Sequence, residues 1–154
     1  MSDAVKSAPA RPAATVVVLR DAAGGSPEVL MVRRTRGASF MADAYVFPGG
    51  RVDDADGSGD EAFSRAAARE LREEANLTVD PAALVRFARW ITPSAEPKRF
   101  DAWFFVTAHP VGQVARHDAA ETVDSLWATP AALLDRYARG ELKLPPPTIC
   151  NLED

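Results

Sequence analysis

Glu70, Glu73 and Glu74 stand at spacings i, i+3 and i+4. On a helix these spacings bring three carboxylates to one face. Like charges this close destabilise a helix by about 0.2–0.5 kcal/mol per pair, so their concentration needs compensation or a use. Compensation is at hand: Arg69 precedes Glu73 by one helical turn, Glu61 precedes Arg65 likewise, and Arg72 is adjacent. On that reading the glutamates form a solvated, ion-paired face. The use would be a site for a hard divalent cation, because Mg²⁺ takes carboxylate oxygens, keeps several waters and works with substrate phosphates. Held on a rigid helix, such an ion acidifies water and neutralises charge on a transferring phosphoryl group.

The elements that must position these residues are legible from periodicity. Phe63, Ala67, Leu71 and Ala75 recur at every fourth position and predict an amphipathic helix. Ser58 and Glu61 have capping-box spacing, which puts the helix start near Ser58–Asp60, and Asn76 suits the left-handed residue after its end. Upstream, Thr15–Arg20 and Val29–Arg34 read as a hairpin across the turn Ala22–Pro27. Ala44–Phe47 is a third strand, stopped by Pro48-Gly49-Gly50, and Arg51–Asp60 is an acidic, Gly-rich loop. Downstream, Leu84–Ile91 and Ala102–Ala108 are strands around the turn Thr92–Phe100, and Ser125–Trp127 is a short one. A last helix, Pro130–Arg139, has Thr129 ahead of a first-turn proline and closes on Gly140. Strands, helix, strands, helix is an α/β (or α+β) order, with a mixed sheet between helices.

With 154 residues, the expectation is one domain over 14–154 behind a disordered tail, 1–13, rich in Ala, Ser and Pro. Those first residues lack the apolar stretch of a signal peptide. Thr148, Ile149 and Leu152 begin a helix-like pattern after a triple proline, so a C-terminal helix is expected to be missing. No run approaches the length of a membrane span, and a net charge of −4 argues against a nucleic-acid-gripping protein. One cysteine, Cys150, can form neither an internal disulfide nor a cysteine zinc site, and no base can be argued for it as a nucleophile. The expected setting is the cytoplasm. Asp54, Asp56, Ser58 and Gly59 imitate the start of an EF-hand loop, but the position of its bidentate acid holds Arg65, so calcium capture of that kind fails.

Phe47-Pro48-Gly49-Gly50, then Glu61, then Arg69-Glu70-Leu71-Arg72-Glu73-Glu74-Ala75-Asn76-Leu77, closely resembles the Nudix box, G-x5-E-x7-R-E-U-x-E-E-x-G-U with U aliphatic. There are two departures. Ten residues separate Gly50 from Glu61 where the pattern has five, and Asn76 replaces the usual glycine. The resemblance implies a Nudix-type α/β/α sandwich with a central mixed sheet. It implies Glu70 and Glu74 as principal ligands of Mg²⁺ (or Mn²⁺), and Glu73 as a further ligand or the water-activating base. The Gly49 carbonyl would complete the site, with Arg69 and Glu61 orienting the glutamates. The reaction implied is attack of activated water on a diphosphate joining a nucleoside to another moiety.

The substrate is less sharply written. The Phe40-Met41 segment, the extended box loop and Arg99-Phe100-Asp101 before Trp103-Phe104-Phe105 look like the coenzyme A diphosphatase branch. Its members give 3′,5′-ADP and a phosphopantetheine. Arg33, Arg34, Arg36 and Arg99 could bind the additional phosphate of such a substrate. Trp90, Trp103, Phe104 and Phe105 could stack a base, though aromatics in strands more often fill a core. Glu121 lies where many Nudix proteins supply an acid from outside the box, while His109 and His117 have no companion at metal spacing. The expected partner is a small nucleotide diphosphate, with no nucleic acid or membrane; oligomeric state stays open, a homodimer among the options. The alternatives are hydrolysis of another nucleotide such as NADH or ADP-ribose, a non-catalytic nucleotide-binding module, or an inactive fragment.

Overall fold

The β-branched run near the start of the chain forms the central strand of a seven-stranded mixed sheet. In this computed structural model the described residues are 10–21, 25–34, 44–91, 100–110, 112–115 and 122–144, without the side chains of 34 and 122–124. The elements are β1 (Arg11–Arg20), β2 (Glu28–Arg34), β3 (Tyr45–Val46), β4 (Gly49–Arg51), α1 (Asp60–Ala75), β5 (Val85–Ile91), β6 (Phe100–Ala108), β7 (Thr122–Ala128) and α2 (Pro130–Ala138). Short 3-10 turns at Asp54–Asp56 and Pro81–Ala83 precede α1 and β5 respectively.

Along one edge, β1 runs parallel to β6 from Arg11↔Phe100 to Leu19↔Ala108. Its other edge is shared: Leu19 and Arg20 pair with β2, while Ala13–Thr15 pair with β4. The two hairpin strands therefore splay apart beyond their turn, β2 keeping β7 on its far side. β3 pairs with the diverging end of β2, so the segment from β3 to β4 wedges into the gap. Val16 N–H donates to the Pro48 carbonyl at 2.9 Å, closing the wedge against the central strand. β5 completes the other side, antiparallel to β6 and bulged between Arg86 and Ala88.

Alternation along β1 explains the layering. Ala14, Val16 and Val18 face one way and bury Ala66, Ala67, Leu71 and Ala75 of α1. Val17 faces the other way with Val29, Met31 and Phe104, onto Leu133 of α2. The sheet lies between the two helices, the expected sandwich. Aromatics follow the same alternation. Trp103 and Phe105 pack on the α1 side, Phe104 and Trp90 on the other, so these four serve the core. Phe63 stacks on Trp103 with centroids 4.0 Å apart, extending the helix stripe to the sheet.

Several boundaries differ from expectation for physical reasons. β1 begins at Arg11, inside the stretch read as tail, because Arg11–Ala13 find backbone partners on β6. The α1 N-cap is Gly59, with φ 73°, and Ser58 plays no capping part. A reciprocal box forms earlier, Asp56 N donating to the Asp53 carbonyl and Asp53 N to Asp56 Oδ2, both at bonding distance. Asn76 ends α1 in the left-handed region, with φ 59° and ψ 32°, and Thr129 Oγ1 caps Ala132 N of α2 as read. The supposed C-terminal helix falls on residues 145–154, outside the described residues.

Candidate functional site

β4 and the turn Asp54–Asp56 are brought to one face of α1. The wedge carries Gly49 and Gly50 onto the helix, where Gly49 N–H donates to Glu74 Oε1 at 2.8 Å. Glu74 is 4% exposed, a buried carboxylate held by a backbone amide. Both glycines are required by proximity. A Cβ on Gly49 would meet the Ala14 carbonyl oxygen at 2.5 Å, and one on Gly50 would meet the Glu70 carboxyl carbon at 2.5 Å.

Arg69 organises the other side. Its Nε donates to Asp56 Oδ1 at 3.1 Å and its Nη2 to Asp56 Oδ2 at 3.0 Å, a two-pronged pair. Nη2 also donates to the Arg51 carbonyl at 3.0 Å. Nη1 donates to Glu70 Oε1 and to Glu73 Oε1, both at 2.9 Å. All five guanidinium N–H groups are thus used. The hydrogen bond to Asp56 raises the Arg69 pKa, burial opposes it, and the charges of Glu70 and Asp56 add to the rise. For Asp56 burial pushes the pKa up, but the bonds from Arg69 and the Asp53 amide, with the charges of Arg69 and Arg65, outweigh it, leaving the group below the usual carboxylate range.

The expected site residues are distributed as follows. Arg69, Glu70 and Glu73 meet in one hydrogen-bonded group, and Glu74 meets Gly49. Glu61 pairs with Arg65 at 2.8 Å, and Arg65 Nη1 reaches the Asp56 carbonyl at 3.1 Å. Arg33 sits on β2, in register with Tyr45. The side chain of Arg34, and all of Arg36, Arg99 and Glu121, lie outside the described residues. Asp56 was missed as a partner of Arg69. Its signal is the count from Gly50, since five intervening residues lead to it.

Among the described residues no group of three acidic, His or Cys side chains stands together as metal ligands. The glutamates share a helix face but turn to different partners: Glu70 and Glu73 to Arg69, Glu74 to the Gly49 amide. The donor chemistry nonetheless fits a hard divalent cation. Every candidate ligand is an oxygen, and Gly50, lacking a side chain, gives the Glu70 carboxylate its room.

The profile of the NUDIX domain matches residues 9–146. This chain belongs to the Nudix family.

A Caenorhabditis elegans protein named "Putative nudix hydrolase 7" is 26% identical over 80% of this chain, which spans 54% of that relative's length. The crystal structure of a NUDIX hydrolase from Alicyclobacillus acidocaldarius superposes with a TM-score of 0.85 at 28% identity, over 94% of this chain and 90% of that one. The NUDIX domain of Shewanella oneidensis NrtR, complexed with ADP ribose, superposes with a TM-score of 0.72 over 95% of this chain and 86% of that one. At 16% identity that likeness speaks for the fold alone. The chain thus shares its family with proteins named as hydrolases. Nudix hydrolases generally use a divalent cation such as Mg²⁺. No helix among the described residues is long and apolar enough to cross a membrane.

Proposed function

We propose that this Nudix domain is an Mg²⁺- or Mn²⁺-dependent hydrolase that cleaves the diphosphate linkage of a nucleoside diphosphate derivative in the cytoplasm. The observation that carries the reading is the face of α1, where Glu70, Glu73 and Glu74 stand beside the Gly49–Gly50 backbone. Glu70 and Glu74 would hold the cation, with Glu73 and the Gly49 carbonyl completing the set. When bound, such an ion neutralises charge on diphosphate oxygens and acidifies water. The chain's own residues supply the rest. Arg69 ties Glu70 to Glu73 and fixes where their oxygens point. The Gly49 amide restrains Glu74. Glu73, with its side chain 43% exposed, is the best placed of the three to accept a proton from water.

Coenzyme A or an acyl-CoA is the substrate we put first, on the sequence flanking the box; Arg33, Arg34, Arg36 and Arg99 would meet its additional phosphate. Glu121 would add a further acid. Another nucleotide diphosphate, NADH or ADP-ribose, is the second, since each carries the same linkage.

The test is chromatographic product analysis with Mg²⁺ or Mn²⁺ on CoA, an acyl-CoA, NADH, ADP-ribose and a diadenosine polyphosphate, with Glu74→Gln alongside. Appearance of 3′,5′-ADP with wild type alone supports the CoA assignment. Cleavage of another diphosphate keeps the site and removes CoA. No cleavage of any of them, with tight binding of one, points instead to a binding module.

A further inference from the structure

We infer that Asp56 is the residue that positions Arg69, and through it Glu70 and Glu73, taking the place that the box pattern gives to Glu61. The box of this chain is too long for one acid to satisfy both ends of the pattern. Counting forward from Gly50, the acid falls on Asp56; counting back from Arg69, it falls on Glu61. The fold selects the first. Asp56 is 5% exposed and grips Arg69 with both oxygens, at 3.1 and 3.0 Å. The Glu61 side chain is 81% exposed and pairs with Arg65.

The cause is the path of the chain. β4 pairs with β1 and delivers the 3-10 turn Asp54–Asp56 to the flank of α1, before the extra residues begin. The turn is then fastened twice, by Asp53 N on Asp56 Oδ2 at 2.8 Å and by Arg65 Nη1 on the Asp56 carbonyl at 3.1 Å. Glu61 thus acts one step further out, holding the arginine that holds the turn. With Nε and one Nη2 hydrogen taken by Asp56, and the other Nη2 hydrogen by Arg51, Nη1 reaches both glutamates. Without the Asp56 charge, with Asp53 left at 3.4 Å from Nη2, more of the Arg69 charge would fall on Glu70 and Glu73, in competition with a cation. This consequence for the cation rests on the hydrolase reading; the positioning itself does not.

The two can be told apart by experiment. In wild type, an NMR coupling through the hydrogen bond from an Arg69 nitrogen to the Asp56 carboxylate carbon is expected; a coupling to Glu61 instead overturns the inference. The Arg69 Nε–H resonance should stay slow to exchange in Glu61→Gln and become fast in Asp56→Asn; the reverse order overturns it. Mn²⁺ affinity, read by electron paramagnetic resonance, should fall about tenfold in Asp56→Asn and less than about twofold in Glu61→Gln. On a cleaved nucleotide, Asp56→Asn should lower kcat and leave KM nearly unchanged, whereas an equal loss in Glu61→Gln speaks against the assignment. If wild type shows the Asp56 coupling but binds no Mn²⁺, the positioning stands and the hydrolase reading fails.

Discussion

The Glu70 carboxyl group occupies the space that a side chain on Gly50 would fill, with its carbon 2.5 Å and its oxygens 2.6 and 2.7 Å from an ideal Cβ. The neighbour is the tip of a flexible side chain, so it can move where backbone could not. Gly50→Ala should therefore fold and lose function: turnover falls at least about tenfold while the melting temperature changes little. Gly49→Ala is the contrasting case. Its Cβ would strike the Ala14 carbonyl and the Thr15 backbone, costing about 1–3 kcal/mol of stability. Thermal melts of the two variants beside their turnover numbers separate the effects.

Glu74→Gln keeps a carbonyl oxygen for the Gly49 amide and removes the charge. Turnover should drop by about two orders of magnitude, the scale of losing one preorganised electrostatic group, with the fold retained. Circular dichroism and product assays report the two halves. A variant with full activity would remove Glu74 from the site.

Removing the divalent cation with a chelator should abolish turnover, and Mg²⁺ or Mn²⁺ should restore it. A ligand that binds only the folded state also raises stability by RT ln(1 + [L]/Kd), about 2.7 kcal/mol at a hundredfold excess over Kd. The melting temperature of wild type should accordingly climb with Mg²⁺ concentration. That of Glu74→Gln should climb far less. Equal climbs in both would mean the ion binds elsewhere.

Asp56 gives a pH signature. Its pKa is lower in the folded chain than in the unfolded one, after the bonds and charges of its arginine and backbone partners outweigh burial. The sign follows: its contribution to stability is fully present above the unfolded carboxylate range, about pH 4, and is lost as pH falls through the folded value. The difference in stability between wild type and Asp56→Asn should be constant near neutrality and shrink below about pH 4. Urea titrations from about pH 2.5 to about pH 7 measure it. A difference that grows on acidification contradicts the assignment.

Asn76 ends α1 at φ 59°, the left-handed backbone that glycine adopts without penalty. Asn76→Gly should be neutral or stabilising by up to about 1 kcal/mol, and Asn76→Val destabilising by about 1–2 kcal/mol. Chemical denaturation settles both. The glycine that most Nudix boxes carry here is thus a backbone requirement that asparagine also meets.

What the sequence made legible was periodic or chemical. Ala67, Leu71 and Ala75 declared the buried stripe of α1, and Arg69-Glu70 with Glu73-Glu74 declared the polar face. β4 was invisible because two glycines carry no strand preference, and their pairing with Ala14 and Thr15 is a long-range event. Asp56 was hidden by arithmetic. Counted back from Arg69 the spacing falls on Glu61, and the path of the turn shows that the extra residues follow Asp56. Trp103 could be read as a base-stacking platform from its type. Its face is in fact taken by Phe63, and the Arg86 guanidinium lies 4.2 Å from its ring centre.

The nine-residue parallel ladder between β1 and β6 joins two segments of chain separated by every other strand but one and by the whole of α1. As the polypeptide leaves the ribosome, β1 can meet β2 and β4 at once, but its long edge stays bare until residues 100–108 emerge. Closing so large a loop sets the pace of folding more than any local propensity does. The helix that bears the glutamates is therefore made early and housed late.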